Sequence, residues 1–335
     1  MSRSFGSGVK LVWGCESFGP GFGQGLNAAD SAAALSALAE FGITELDTAR
    51  IYGDGEAEPA LGAALRASSV PTTFDIATKA HPKFSLEHDA LLEQVSTSLA
   101  ALRVDSVGIL YLHAPDADAV LEGALGAVDE LHREGKIREF GLSNFPAWQV
   151  VQVYYKCKEL GYVLPTVYQG NYNPLARQAE ASLLPALKMC GLRFYAYSPL
   201  AGGLLVGTAK LKDTSTRAGY RQGLAKMMGG DGEEGMAALE ASLVEIESSC
   251  EAEGVPMRDA ALRWLFHHSP LGEGDAVIIG TSKLSQLTDN LESLSADEGP
   301  LPEAVLSAIE GAWESASAGQ LPAYPGGGAM PVAGL

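Results

Sequence analysis

Eight short apolar segments recur along the 335-residue chain, and longer segments with helical periodicity separate them. Each apolar segment has the length and nearly continuous hydrophobicity of a strand that is buried on both faces. Strands that alternate with helices indicate an α/β fold with a parallel sheet, and eight of them favour a closed (β/α)₈ TIM barrel over a doubly wound sheet. The predicted strands are Leu11–Cys15, Thr44–Thr48, Phe74–Lys79, Ser106–His113, Glu139–Asn144, Thr166–Gly170, Arg193–Leu200 and Ala276–Thr281.

The segments between and after the predicted strands define the helices of this fold. A polar, Gly-rich stretch that extends to Gly235 predicts a long insertion after the seventh strand, and the last helix is an extra C-terminal one. No low-complexity linker divides the chain, so residues 1–335 are expected to form one domain. The predicted helices are Asp30–Glu40 with Asp30 as its N-cap, Ser85–Leu99, Val120–His132, Ala147–Leu160, Glu180–Met189, Met236–Glu253, Pro256–His267 and Pro302–Ser315.

Charge and composition exclude several classes of function. The formal net charge of −18 disfavours nucleic acid and anionic membranes as partners. No apolar stretch is long enough to span a membrane, and residues 1–10 lack the apolar run of a signal peptide, so a cytoplasmic location is expected. The four cysteines form no CxxC pair, which argues against a disulfide framework and a paired zinc site. We therefore expect no metal, and a buried structural role for Cys15.

Polar side chains stand at or just after the ends of the predicted strands. Any one of them could be a capping or loop residue. Seven strand ends that share this property predict a site instead, because the carboxyl ends of barrel strands meet at one face. These residues are Asp47, Lys79, His113, Ser143 with Asn144, Gln169, Tyr197 with Ser198, and Thr281, and Tyr52 follows the second strand closely.

Four of these residues fit one chemistry. A buried Lys79 needs a carboxylate partner, and Asp47 is available on the neighbouring strand. A cationic Lys79 beside Tyr52 is expected to lower the pKa of the phenol, so that Tyr52 can protonate a carbonyl oxygen as hydride arrives. His113 can hydrogen-bond the same oxygen. Because no side chain supplies hydride, a cofactor is required.

At these residues the sequence resembles the aldo-keto reductase superfamily, and the aflatoxin aldehyde reductase branch most closely. The similarity extends from about Leu11 to Leu294, with the motifs in order. The matching segments are Asp47–Gly53 with Glu58, Leu61 and Gly62, Thr78–Lys79, Tyr111–Asp116, Gly141–Asn144, Val167–Asn173, Leu192–Leu205 and Ile279–Asn290.

The resemblance implies NADPH-dependent reduction of small aldehydes or ketones, and NADPH rather than NADH because a cation could pair with a 2′-phosphate. It implies that Tyr52 is the proton donor, that Lys79 and Asp47 tune it, and that His113 orients the carbonyl. Dimers are common in the resembled branch, so it also allows a homodimer. The implied cofactor contacts are Ser143, Asn144, Gln169, Tyr197, Ser198, Leu200, Gly202, Arg217, Gly280, Thr281, Ser282, Lys283, Gln286 and Asn290.

The chain also departs from that branch. Ser198 stands where the branch usually has Asn, and Val206 and Thr208 replace polar and cationic residues in the following loop. After Lys283 the sequence contains no Lys or Arg, whereas in the branch an Arg near the C-terminus is expected to bind the carboxylate of semialdehyde substrates. We therefore expect poor use of carboxylate-bearing aldehydes.

Two other functions remain open at the level of the sequence. One is a catalytically slow, NADPH-binding regulatory subunit that resembles the potassium channel β subunits of the same superfamily. Fast turnover of generic aldehydes would distinguish a reductase from such a subunit. The other is a cofactor-free barrel isomerase or lyase, which would leave Ser143, Asn144, Gln169 and Tyr197 unexplained together.

Overall fold

A computed structural model describes residues 4–19, 25–68, 70, 74–208, 222, 233–281, 283–295 and 298–317. Eight parallel strands form a closed barrel: each pairs with the next along the chain, and the last pairs with the first, Lys10 opposite Ala276. The predicted (β/α)₈ barrel is confirmed. The barrel strands are β2 (Val9–Gly14), β3 (Glu45–Asp47), β4 (Asp75–Ala80), β5 (Val107–Leu112), β6 (Ile137–Ser143), β7 (Pro165–Asn171), β8 (Arg193–Tyr197) and β9 (Ala276–Ile279).

A ninth strand, which sequence reasoning missed, lies outside the barrel cycle. Strand β1 (Ser4–Phe5) pairs antiparallel with the start of β2. The Phe5 ring stacks on Phe266, with ring centroids 4.8 Å apart. The segment Ser4–Phe5 is thereby fixed against the outer helical layer.

Helices surround the barrel and lie between successive strands. Two helices of the described residues, α7 (Glu233–Glu253) and α8 (Met257–His267), lie between β8 and β9. Most of the predicted insertion that precedes them, residues 209–232 apart from 222, lies outside the described residues. None of the helices described is long and apolar enough to cross a membrane. The helices are α1 (Ala28–Phe41), α2 (Ala57–Ala67), α3 (His88–Leu102), α4 (Leu121–Arg133), α5 (Ala147–Leu160), α6 (Leu183–Cys190), α7 (Glu233–Glu253), α8 (Met257–His267), α9 (Leu284–Ser295) and α10 (Glu303–Ser317).

The start of α1 differs from the prediction. Asn27, not Asp30, caps the helix, because the Asn27 side-chain oxygen accepts hydrogen bonds from the backbone N–H groups of Ala29 and Asp30. Asp30 lies in the first turn instead, where its negative charge suits the positive end of the helix dipole. Helices α2 and α9 were also missed by the sequence analysis.

The barrel interior is apolar in its middle and charged at its N-terminal end. A small buried cluster that includes Val12, Ile109 and Val167 fills the centre. At the N-terminal end, Arg193 pairs with Glu139, and the Tyr195 hydroxyl donates to Glu45, O to O 3.0 Å. Packing and ion pairs therefore close this end, and the polar strand ends are left at the opposite, C-terminal face.

The C-terminal helix α10 contacts the loop after β7 through an ion pair and a cation–π interaction. The guanidinium of Arg177 in that loop binds Glu310 of α10 at 2.7 Å. It also lies over the rings of Trp264 and Trp313, 4.8 and 5.6 Å from their centroids. This contact joins distant parts of the chain beside the C-terminal face of the barrel.

Candidate active site

A buried ion pair forms the floor of the candidate site. Asp47 is the last residue of β3 and Lys79 lies near the end of β4, and both side chains are almost fully buried. The Lys79 Nζ donates to Asp47 Oδ1 at 2.5 Å and to the backbone oxygen of Thr48 at 2.8 Å. Burial raises the pKa of Asp47, and the Lys79 charge and a hydrogen bond from Gln169 oppose that rise. The predicted pairing of Lys79 with Asp47 is present.

Tyr52 lies above this pair. It begins the 3₁₀ turn Tyr52–Gly55 after β3, and its ring centroid is 4.7 Å from Lys79 Nζ. The expected lowering of its pKa is wrong for this structure: burial raises the pKa of Tyr52 well above its ordinary value, and the negative charges of Asp47 and Glu16 add to the rise. The Asp47 carboxylate, which neutralises Lys79, is a repulsive neighbour of a phenolate.

His113 follows β5 and meets Tyr52 edge to face, with ring centroids 5.7 Å apart. Burial lowers the pKa of His113 well below its usual range, and the nearby charges of Lys79 and His81 lower it further. The ring is therefore neutral at physiological pH. Its Nδ1 is buried without a hydrogen-bond partner among the described residues, which favours the tautomer that carries the proton on Nε2, because an unpaired N–H is costlier than an unpaired lone pair.

Three of the residues assigned to the cofactor form one network with His113. Asn144 Nδ2 donates to the backbone oxygen of His113 and to Ser143 Oγ, at 2.9 and 3.1 Å. The Tyr197 hydroxyl donates to Asn144 Oδ1 at 2.9 Å, so the ring of Tyr197 is fixed at the end of β8. Asn144 and Ser198 both adopt left-handed backbone conformations, φ 61° and 56°, which turn the chain sharply at the ends of β6 and β8.

Gln169 has a contact that the sequence analysis did not foresee. Its Nε2 donates to Asp47 Oδ2 at 2.7 Å, and the side chain is buried. The sequence analysis assigns the Gln169 side chain to the nicotinamide carboxamide, but its amide nitrogen here donates to the Asp47 carboxylate. Gln169 therefore belongs to the same hydrogen-bonded group as Asp47 and Lys79.

The remaining predicted contacts lie along β8, β9 and α9. Leu200 and Gly202 lie in the turn after β8, and Gly280 and Thr281 follow β9 directly. Lys283 and Gln286 are exposed at the beginning of α9, and Asn290 is buried one turn further on. No contact between these three and the Asp47–Lys79 pair is found among the described residues. Arg217 and Ser282 lie outside the described residues.

Two further residues adjoin the site. Cys15, at the end of β2, is fully buried as expected, and its thiol lies 3.8 Å from the backbone oxygen of Trp13. Burial and the Asp47 charge raise the pKa of Cys15, which keeps it a thiol. His81, which the sequence analysis did not single out, packs against His113 with ring centroids 4.9 Å apart. Its position two residues after Lys79, at the end of β4, was the available signal.

The residues at this face fit a nicotinamide cofactor. The Thr281 Oγ1 is buried without a partner among the described residues, so it can accept or donate to a bound group. Gly202 and Gly203 adopt left-handed conformations, φ 66° and 94°, and no atom lies within 4 Å of a Cβ built on Gly203. A partly exposed Tyr197 ring supplies a flat apolar surface beside them.

Comparisons with known proteins agree with this geometry. The model of the aldo/keto reductase family matches residues 10–314. Aflatoxin B1 aldehyde reductase member 4 of Homo sapiens is 43% identical over 309 residues, which cover 87% of this chain and 91% of the relative. Aflatoxin B1 aldehyde reductase member 2 of Mus musculus is 43% identical over 309 residues, with 87% and 82% covered. Aldo-keto reductase family 7 member A3 of Homo sapiens is 42% identical, with 87% and 91% covered.

The family match spans all eight barrel strands from Lys10 onward and every predicted site residue. The resemblance to the aflatoxin aldehyde reductases is confirmed by relatives with that printed name. The chain belongs to the aldo/keto reductase family of oxidoreductases.

Proposed function

We propose that this protein reduces aldehydes or ketones to alcohols with NADPH, and that Tyr52 is the general acid. The observation that carries the proposal is the convergence of Tyr52 and His113 above the buried Asp47–Lys79 pair at the C-terminal end of the barrel. A second support is the printed name of the relatives, two of which are called aldehyde reductases.

Two donors can meet at one carbonyl oxygen in this arrangement. The raised pKa of Tyr52 keeps its hydroxyl protonated in the free protein, which is the form that a proton donor requires. The neutral ring of His113 can donate an Nε2–H hydrogen bond to the same oxygen. A nicotinamide cofactor held at this face would supply the hydride for the carbonyl carbon, and Tyr52 would give its proton to the carbonyl oxygen.

Lys79 has a distinct part in this proposal. As Tyr52 gives up its proton, negative charge develops on the phenol, and the ammonium 4.7 Å from the ring centroid stabilises that charge. Asp47 fixes Lys79 in place through the 2.5 Å contact. Burial strengthens both effects, because the local dielectric is low.

The choice of NADPH depends on cations near the adenosine end. Lys283 is exposed at the beginning of α9, where a helix N-terminus also favours an anion. We assign it to the 2′-phosphate, with Arg217 as a second candidate. One domain over residues 1–335, a cytoplasmic location and a homodimer stay predictions of the sequence.

The direct test is oxidation of NADPH in the presence of 4-nitrobenzaldehyde, followed by the loss of absorbance of the reduced cofactor. Tyr52→Phe should lower kcat/KM by about 10²–10⁴-fold, the range for general acid catalysis, with NADPH binding unchanged. Tyr155→Phe is the matched control, because Tyr155 is exposed on α5. If wild type binds NADPH but reduces none of a broad panel of carbonyls, the regulatory-subunit function is favoured instead.

A further inference from the structure

The ring of His113 is less constrained than its backbone. The backbone N–H donates to the oxygen of Ala80, and the backbone oxygen accepts from Asn144 Nδ2, both at 2.9 Å. The imidazole makes no hydrogen bond to any described residue, and its Nδ1 is buried. Rotation of the ring about its last side-chain bond must therefore be limited by packing.

Two aromatic rings provide that packing. Tyr52 meets His113 at 5.7 Å between centroids with planes at 82°, and His81 meets it at 4.9 Å with planes at 86°. The closer contact is with His81. Because Tyr52 must also move its proton to the substrate, His81 is the neighbour of His113 that takes no part in the proposed chemistry.

His81 is itself fixed on both sides of its Cα. Its backbone N–H donates to Gln94 Oε1 at 2.9 Å, and its ring Nδ1 accepts from the backbone N–H of Lys83 at 3.0 Å. Gln94 is buried on α3, and its Nε2 donates to the backbone oxygen of Ser85 at 2.6 Å. The buried Gln94 amide thus forms hydrogen bonds to both ends of the turn from His81 to Ser85. The His81 ring is oriented by the hydrogen bond that it accepts from Lys83.

We propose that His81 is a positioning residue for the reaction. The bulk of its ring, packed edge to face at 4.9 Å, holds the plane of the His113 imidazole so that Nε2 is directed at the carbonyl oxygen that Tyr52 protonates. The inference rests on the proposed reductase function, and it assigns His81 no contact with the reacting atoms.

Two substitutions separate the ring of His81 from its hydrogen bond. His81→Asn retains an acceptor for the Lys83 N–H but removes the ring, whereas His81→Phe retains a ring and removes the acceptor. We expect kcat to fall about tenfold in His81→Asn, because a misdirected catalytic group loses rate without losing cofactor affinity. His81→Phe should stay within about threefold of wild type, and so should His132→Asn, an exposed histidine on α4.

A double-mutant cycle identifies the route of the effect. If His81 acts through His113, then His81→Asn should change kcat little in a His113→Gln background. The proposal is overturned if His81→Asn leaves kcat unchanged, if His81→Phe is as impaired as His81→Asn, or if the loss is equally large without His113. These outcomes presuppose a wild type that reduces 4-nitrobenzaldehyde, so failure of the proposed function is recognised separately by a wild type that does not.

Discussion

Removal of one charge from the buried Asp47–Lys79 pair should lower the free energy of unfolding substantially. In Asp47→Asn the Lys79 ammonium, whose side chain is 0% exposed, loses its counter-charge. The new amide nitrogen would also face Gln169 Nε2, so two donors would meet where a donor and an acceptor lie 2.7 Å apart. Breaking a buried pair from one side costs about 3–5 kcal/mol. With a urea m-value of about 3 kcal/mol/M, the unfolding midpoint should fall by about 1–1.7 M.

The assay is equilibrium unfolding in urea, followed by far-ultraviolet circular dichroism. Asp75→Asn is the matched control, because Asp75 lies beside Glu45 on the neighbouring strand and its partner Arg138 has a side chain that is 61% exposed. That exposed pair contributes about 0–1 kcal/mol. Adding Lys79→Met to Asp47→Asn removes the stranded charge and should recover most of the loss. Equal shifts for the Asp47 and Asp75 variants, or a double variant less stable than the single one, would refute the reasoning.

Three further outcomes can be checked independently. Succinic semialdehyde should have a higher KM than 4-nitrobenzaldehyde, because no Lys or Arg follows Lys283; a low KM for the semialdehyde would contradict this. Because the pKa of His113 is lowered well below 6.5, the ring stays neutral as pH falls to 6.5, and the pH profiles of wild type and His113→Gln should have the same shape down to that pH; an acidic limb near pH 6.5 that only wild type shows would disprove this. Gly62→Ala on α2 should destabilise by about 1–3 kcal/mol through overpacking, since its Cβ would lie 2.4 Å from the oxygen of Ala101. Gly311→Ala on α10 is the control, because no atom lies within 4 Å of its Cβ. It should stabilise the protein by up to about 1 kcal/mol in thermal unfolding. Equal changes in unfolding free energy for the two variants would contradict the close packing at Gly62.

The fold could be predicted because the strands of a closed barrel are buried on both faces, and such strands appear in the sequence as continuous apolar segments. The helices were harder to predict from the sequence than the strands. Helix α2 was missed because Pro59 and Gly62 lower its apparent propensity, although a proline in the first turn is tolerated. Helix α9 carries Leu284, Leu287 and Leu291 at helical spacing, a signal that the assignment of this stretch to cofactor binding obscured.

Part of the site could also be predicted from the strands alone. Parallel register brings the ends of β3 and β4 together, which is sufficient to pair Asp47 with Lys79. The pKa of Tyr52 could not be predicted, because its direction depends on how deeply the ring is buried and on which charges are nearest. The contact of His81 with His113 depends likewise on the conformation of a turn, which the sequence pattern does not specify.

The pairing of β2 with β9 has a consequence for how the chain is made. The two strands that close the barrel leave the ribosome far apart in time, since Lys10 lies opposite Ala276. At about 5–20 residues per second, the interval between their synthesis is on the order of tens of seconds. Throughout that time the β9-facing edge of β2 has no partner from its own barrel. An unpaired strand edge recruits other chains, so the nascent protein can aggregate through this edge of β2 until β9 has emerged.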